Sequence, residues 1–327
     1  MHKRAFLSRV AAAVCGSFLA VAATAASAQE WPAKPIRILV SFAPGGLTDL
    51  IARALQPRLQ EGLGQPVVIE NRPGAGGTLA EGLLAKAPAD GYTILLSADS
   101  VPANPHLVQN LPYDTFRDLT PVSMLARIPL VLLVPNTVPA TTVKEFVSHA
   151  KAGGAKASYG SPGIGTSNHL YFEVFKDLTS TDLPHVAYKG GGPAMTDLMG
   201  GHIQALLISS TLAVPQAGAG KVKALAVTSD KRLAQLPNVP TFAEAGFPDF
   251  KPQQWTGLFV PSGTPAAIVA RIHAEFARAL KAPDVLSRLN DLNAEPVMST
   301  QGEFASYLRR ETQTLGRLIK DRGITGQ

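Results

Sequence analysis

Three times along this 327-residue chain a glycine-rich loop separates a short apolar run from a helical one. The loops read Ala43-Pro44-Gly45-Gly46-Leu47-Thr48-Asp49, Gly160-Ser161-Pro162-Gly163-Ile164-Gly165-Thr166-Ser167 and Tyr188-Lys189-Gly190-Gly191-Gly192-Pro193. Apolar runs over 36–40, 67–71, 92–97, 130–134, 184–188, 203–208, 222–228 and 255–260 read as strands. Leu50, Ile51, Ala54, Leu55 and Leu59 recur at helical spacing, with Pro57 expected to kink that helix. Further helices are expected over 79–87, 143–152 and 167–176, in the turn or two before Gly200-Gly201, and along Ile268, Ile272, Phe276 and Leu280. Strands and helices alternating through short loops predict an α/β fold of parallel sheets covered by helices. No fixed-period repeat is present, which excludes a solenoid.

The loops are also where chemistry is expected. Glycine lets the backbone approach a ligand closely. The helix behind each loop presents unpaired N–H groups and the positive end of its dipole. Together these make an anion site that needs no fixed cation. Any single loop reads equally well as a tight turn capped by Thr or Asp. Asp49 and Asp197 read as helix-start residues rather than ligand contacts. Lys189 reads either as a ligand cation or as a solvated lysine at a strand end. His169 reads either as a site residue or as a core histidine bonded to backbone.

The first 28 residues have the three parts of a secretory leader: Met1-His2-Lys3-Arg4, an apolar run from Val10 to about Ala22, and a small-residue exit at Ala26-Ser27-Ala28. The run is too short to span a bilayer, which needs roughly 20 residues. Cleavage is expected after Ala28, giving a periplasmic protein. The single cysteine, Cys15, leaves with the leader, so disulfides and thiol chemistry are excluded from the mature chain. Lys3, Arg4 and Arg9 leave too, so 27 of the 30 basic residues then face 24 acidic ones. With no basic block or stripe, nucleic acid is not an expected partner. An aromatic content of 6% argues against binding by ring stacking.

Enzyme signatures are missing. Ser161 is not in a G-x-S-x-G elbow, because Tyr159 holds the first glycine position. Gly220-Lys221 is not a phosphate loop, because Pro215 and Val222 stand at its ends. Gly163-Ile164-Gly165 is not a dinucleotide fingerprint, because Asn168 replaces the third glycine. His106, His149, His169, His185, His202 and His273 lack metal-ligand spacing. No metal, no cofactor and no catalysis are expected.

At these loops the chain resembles the substrate-binding proteins of tripartite tricarboxylate transporters, the Bug-type receptors. The resemblance runs through Phe42-Ala43-Pro44-Gly45-Gly46, Ile69-Glu70-Asn71-Arg72-Pro73-Gly74-Ala75-Gly76-Gly77, Pro88-Ala89-Asp90-Gly91-Tyr92 and Asn104-Pro105. It continues through Tyr159-Gly160-Ser161, Gly165-Thr166, Tyr188-Lys189-Gly190-Gly191, Pro237-Asn238-Val239-Pro240-Thr241 and Pro261-Ser262-Gly263-Thr264-Pro265. It implies a two-lobed periplasmic-binding-protein fold of the Venus-flytrap, type II-like kind, with a hinge and an interlobe cleft. Residues 29–128 and 251–327 would form lobe one, and 129–250 lobe two. A monomer that passes a small carboxylate to membrane transport subunits is implied.

By the same resemblance, Phe42, Ala43, Pro44, Gly45, Gly46 and Ser97 would serve the ligand from lobe one. Gly160, Ser161, Gly165, Thr166, Ser167, His169, Tyr188, Lys189, Gly190, Gly191 and Ser209 would serve from lobe two. Many relatives place an acid where this chain has Ile208, before Ser209 and Ser210, which disfavours an amino-acid ligand here. A sensory receptor for a membrane signalling protein, and a secreted hydrolase using Ser161 with His169, are the competing readings.

Overall fold

The computed structural model describes residues 31–153 and 157–325. The leader expected over 1–28 lies outside the described residues. In chain order the strands are β1 (Ile36–Val40), β2 (Val67–Asn71), β3 (Thr93–Ala98), β4 (Leu119–Pro135), β5 (Tyr159–Ser161), β6 (His185–Ala187), β7 (Ala205–Ser209), β8 (Val222–Val227), β9 (Gln253–Pro261) and β10 (Glu295–Pro296). They run β2-β1-β3-β9-β4-β7-β5-β6, with β8 and β10 also pairing with β4. The β2-β1-β3 and β6-β5-β7 pairings are parallel, as the strand–loop–helix pattern requires. β9 enters between β3 and β4, antiparallel to both.

β4 holds the molecule together. Its residues from Leu119 to Pro129 pair with β9, and those from Leu130 to Pro135 pair with β7 and β8. Seventeen residues of one strand therefore serve two halves of the sheet. The sequence marks only the second part, 130–134, because Pro121 and Pro129 interrupt the first. The structure absorbs Pro121 at a register shift and puts Pro129 where the strand changes partners.

Each half is covered on both faces. In the first, Ile36, Ile38, Val40, Ile94 and Leu96 point to helices Leu47–Leu63, Ala266–Leu280 and Pro283–Asp291, while Leu39 and Leu95 point to Thr78–Ala85. In the second, Leu130, Leu132 and Leu207 face helices Val143–Gly153 and Ser167–Thr179, while Val131, Leu133 and Leu206 face Gly191–Met199 and Ser210–Gly218. Burial on alternating faces explains why these strands read as continuous apolar runs. The C-terminal helix Gln301–Asp321 joins both halves. Phe304 and Leu308 sit in the core around Trp255 and Phe259, while Leu315, Leu318 and Ile319 sit with Phe172 and Phe175.

Candidate functional site

The three glycine loops all lie where a parallel strand ends and a helix begins, at Leu47, Ser167 and Gly191. Crevices beyond the carboxyl ends of such strands are the usual ligand positions of α/β sheets.

The first loop is tied down from behind. Gly45 N–H donates to the Asp49 carboxylate at 2.8 Å, and Gly46 N–H donates to Ala43 O at 3.1 Å. Asp49 is buried and also accepts from Arg53 Nε at 2.9 Å and Asn71 Nδ2 at 2.9 Å. Burial works to raise its pKa, but Arg53, the Gly45 amide and Asn71 outweigh it and hold the carboxyl below its ordinary range. Asp49 is thus committed to shaping the loop, as a helix-start residue. Ala43, Pro44 and Gly45 stay exposed.

Ser97 lies under this loop. Its buried hydroxyl donates to Glu81 Oε1 at 3.0 Å and accepts from Ser41 Oγ at 3.1 Å. Glu81 is fully enclosed, accepts from Asn104 Nδ2 at 3.1 Å and receives the Tyr113 hydroxyl. Burial pushes its carboxyl up against those three donors. The sequence reading missed this network, because Glu81, Asn104 and Tyr113 sit on separate elements that only folding brings together.

The second and third loops are stitched to each other. Tyr188 N–H donates to Ser161 O at 3.0 Å, and Gly190 N–H donates to Pro162 O at 2.9 Å. A side chain at Gly160 would collide with Ile203 Cδ1 at 2.5 Å and press on the Tyr188 ring at 3.1 Å. The Tyr188 hydroxyl donates to Asp197 at 2.7 Å, and burial with that carboxylate pushes its pKa up to about 12. Thr166 caps its helix through His169 N–H. Lys189 is exposed.

Ser161 and His169 do not pair. Ser161 is fully buried, donates to Gly163 O at 2.9 Å and lies 2.7 Å from His185 Nε2. His169 Nδ1 instead accepts Gly165 N–H at 3.0 Å. The Ser161–His169 pairing that a hydrolase reading requires is therefore not formed. Among the described residues no group of three His, Cys, Asp or Glu can hold a metal ion.

The structure therefore gathers the sequence-read residues into two groups, one in each half. Ser41 joins the 42–46 loop to Ser97, and the 160–167 loop, the 188–191 loop and His169 form the other group. Contacts across the joint between the halves include Leu107 against Gly165, and Gln254 Nε2 of β9 donating to Ser167 Oγ at 3.3 Å and to Asn168 Oδ1 at 3.2 Å. Ser209 ends β7, paired with Leu130 where β4 changes partners. Among the described residues no hydrogen bond joins the 42–46 loop to the other two.

Residues 51–324 match the family model described as "Tripartite tricarboxylate transporter family receptor". The chain belongs to this receptor family. It is 36% identical over 315 residues to protein BugT of Bordetella pertussis, covering 95% of this chain and 97% of that one. Two solved relatives share the fold. An R. palustris protein solved with adipate is 33% identical with a TM-score of 0.77, covering 91% of this chain and all of that one. MatC from Rhodopseudomonas palustris, solved with bound malate, is 34% identical with a TM-score of 0.73, covering 88% of this chain and all of that one. The chain thus has the α/β fold of the periplasmic binding proteins of this family. Its family is one of solute receptors, not enzymes.

Proposed function

We propose that this receptor is a monomer exported by a leader cleaved after Ala28, which captures a small di- or tricarboxylate or related organic acid in the periplasm and presents it to membrane transport subunits. The observation that carries this reading is the set of three helix starts, at Leu47, Ser167 and Gly191, each behind a glycine loop. Relatives solved with adipate and with malate supply the ligand class. Residues 29–128 and 251–327 form lobe one and 129–250 lobe two, with β4 and β9 as the crossings. The C-terminal helix reaches from the first lobe into the core of the second.

In this reading the amides at the three helix starts hold the carboxylates, because several loop amides behind them already serve the fold. Each charge-assisted bond contributes roughly 1.5–3 kcal/mol. Phe42, Ala43, Pro44, Gly45, Gly46 and Ser97 frame the cleft from lobe one. The 160–167 and 188–191 loops, with His169 behind the first and Ser209 at the end of β7, frame it from lobe two. Ile208, Ser209 and Ser210 offer no acid to a ligand ammonium.

The test is a thermal-melt series on the mature, ligand-stripped protein with malate, adipate, succinate, aspartate, glutamate and sugars. Ligand that binds only the native state raises the melting temperature. A rise with one or more of the organic acids, larger than with aspartate or glutamate, is expected. A rise with sugars alone, or a preference for the amino acids, would overturn the assignment.

A further inference from the structure

Behind the 160–167 loop two imidazoles lie face to face. The His169 and His185 rings are 3.9 Å apart at 9°. They extend a stack that continues through Tyr159, 4.9 Å from His185, to Phe172, 3.9 Å from Tyr159. Both histidines are wired to the loop. His169 Nδ1 accepts Gly165 N–H at 3.0 Å, and His185 Nε2 meets Ser161 Oγ at 2.7 Å. An imidazole nitrogen accepts a hydrogen bond only while it carries no proton. Protonation of His169 on Nδ1 would set two N–H groups against each other and release Gly165.

We propose that His169, stacked on His185, positions the 160–167 loop in its ligand-accepting shape while its Nδ1 carries no proton, so that acid loosens carboxylate capture. This rests on the loop being part of the binding site, as argued above. His169 then acts through the loop and not on the ligand.

The surroundings keep the pair neutral. Burial lowers the pKa of His169. Burial, and then the charge of His169, lowers His185 to about 4. Charged neighbours partly cancel: Glu173 favours the cations, and Lys176 on the same helix opposes them. Tyr159 from β5 gives its hydroxyl to Glu173 at 2.6 Å, and Arg322, past the C-terminal helix, lies 3.6 Å from the same carboxylate. Stacked rings cannot both be charged cheaply, so the first proton disfavours the second.

The test follows the Gly165 amide resonance and the two imidazoles by NMR in the full mature protein, from about pH 7.5 to about pH 4, with malate titrations at both ends. The Gly165 signal is expected to move with the His169 titration, and malate affinity to fall by about tenfold or more over the same interval. In His169→Asn, whose side-chain oxygen can still accept from Gly165, the ratio of affinities between the two pH values is expected to be several-fold smaller than in the parent, leaving the part due to protonation of malate itself. A Gly165 amide that stays fixed while His169 titrates overturns the proposal, and this reading needs no variant. So does an acid loss in His169→Asn as steep as in the parent. If malate does not bind at either pH, the ligand assignment fails, and the Gly165 signal alone still decides whether His169 controls the loop.

Discussion

Gly192 is a glycine that the fold does not need. It is exposed in the first turn of the helix Gly191–Met199, and a Cβ built there meets nothing within 4 Å. Glycine inside a helix costs about 0.5–1 kcal/mol relative to alanine. Gly192→Ala is therefore expected to raise the unfolding midpoint slightly while weakening carboxylate binding, read by denaturation and calorimetry on one preparation. Equal affinity in the variant would remove Gly192 from the cleft. Gly165 is the contrast, with φ +75° and Leu107 Cδ1 2.8 Å from where a Cβ would stand. The sequence treats both as loop glycines, since a missing side chain says nothing about whether protein or ligand fills the space. Asp49 was more legible. A carboxylate in the first helical turn is a local pattern, and it performs the local role that pattern implies.

Among the elements, the C-terminal helix was the least visible in advance, although its signal was present. Thr300 and Glu303 form a capping box, with Thr300 Oγ1 accepting Glu303 N–H at 3.3 Å and Glu303 Oε2 accepting Thr300 N–H at 2.9 Å. That three-residue spacing can be read directly from a sequence. Thr300→Ala is expected to cost about 1 kcal/mol, seen as a lower denaturation midpoint with an unchanged slope. A changed slope would mean that the two cores joined by this helix no longer unfold together. β4 was half legible for a different reason. Its prolines break the local strand pattern, and only pairing with β9 restores the strand.

For the whole molecule, the joint between the halves contains a carboxyl without a full set of partners. Asp99 follows β3 and is 8% exposed, and its Oδ2 has no hydrogen-bond partner among the described residues. Burial raises its pKa to about 7; the Ser167 side chain works against this, and the Glu311 charge adds to it. Glu311 on the C-terminal helix accepts from the Tyr171 hydroxyl at 2.8 Å, and burial raises it as well. A carboxyl that titrates near 7 when folded and near 3.8 when unfolded keeps its proton only in the folded state between those values. Its contribution to stability therefore falls as pH rises through that window and is lowest above it. Asp99→Asn should gain stability relative to the parent as pH is raised from about 4 to about 7, measured by denaturation at several pH values. A constant difference between the two proteins would show that Asp99 does not ionise against a burial penalty.

Local residue patterns were enough to give the α/β alternation, the positions of the three glycine loops, the family and the lack of catalytic motifs. These depend on residues close together along the chain: strand runs, helical spacing, caps and turns. Folding set which loop amides are already committed, that Ser161 pairs with His185 rather than His169, that Ser97 rests on Glu81, and that one strand and one helix serve both halves. Those facts depend on groups from distant elements competing for the same hydrogen bonds and the same buried space, and only the folded chain sets that competition.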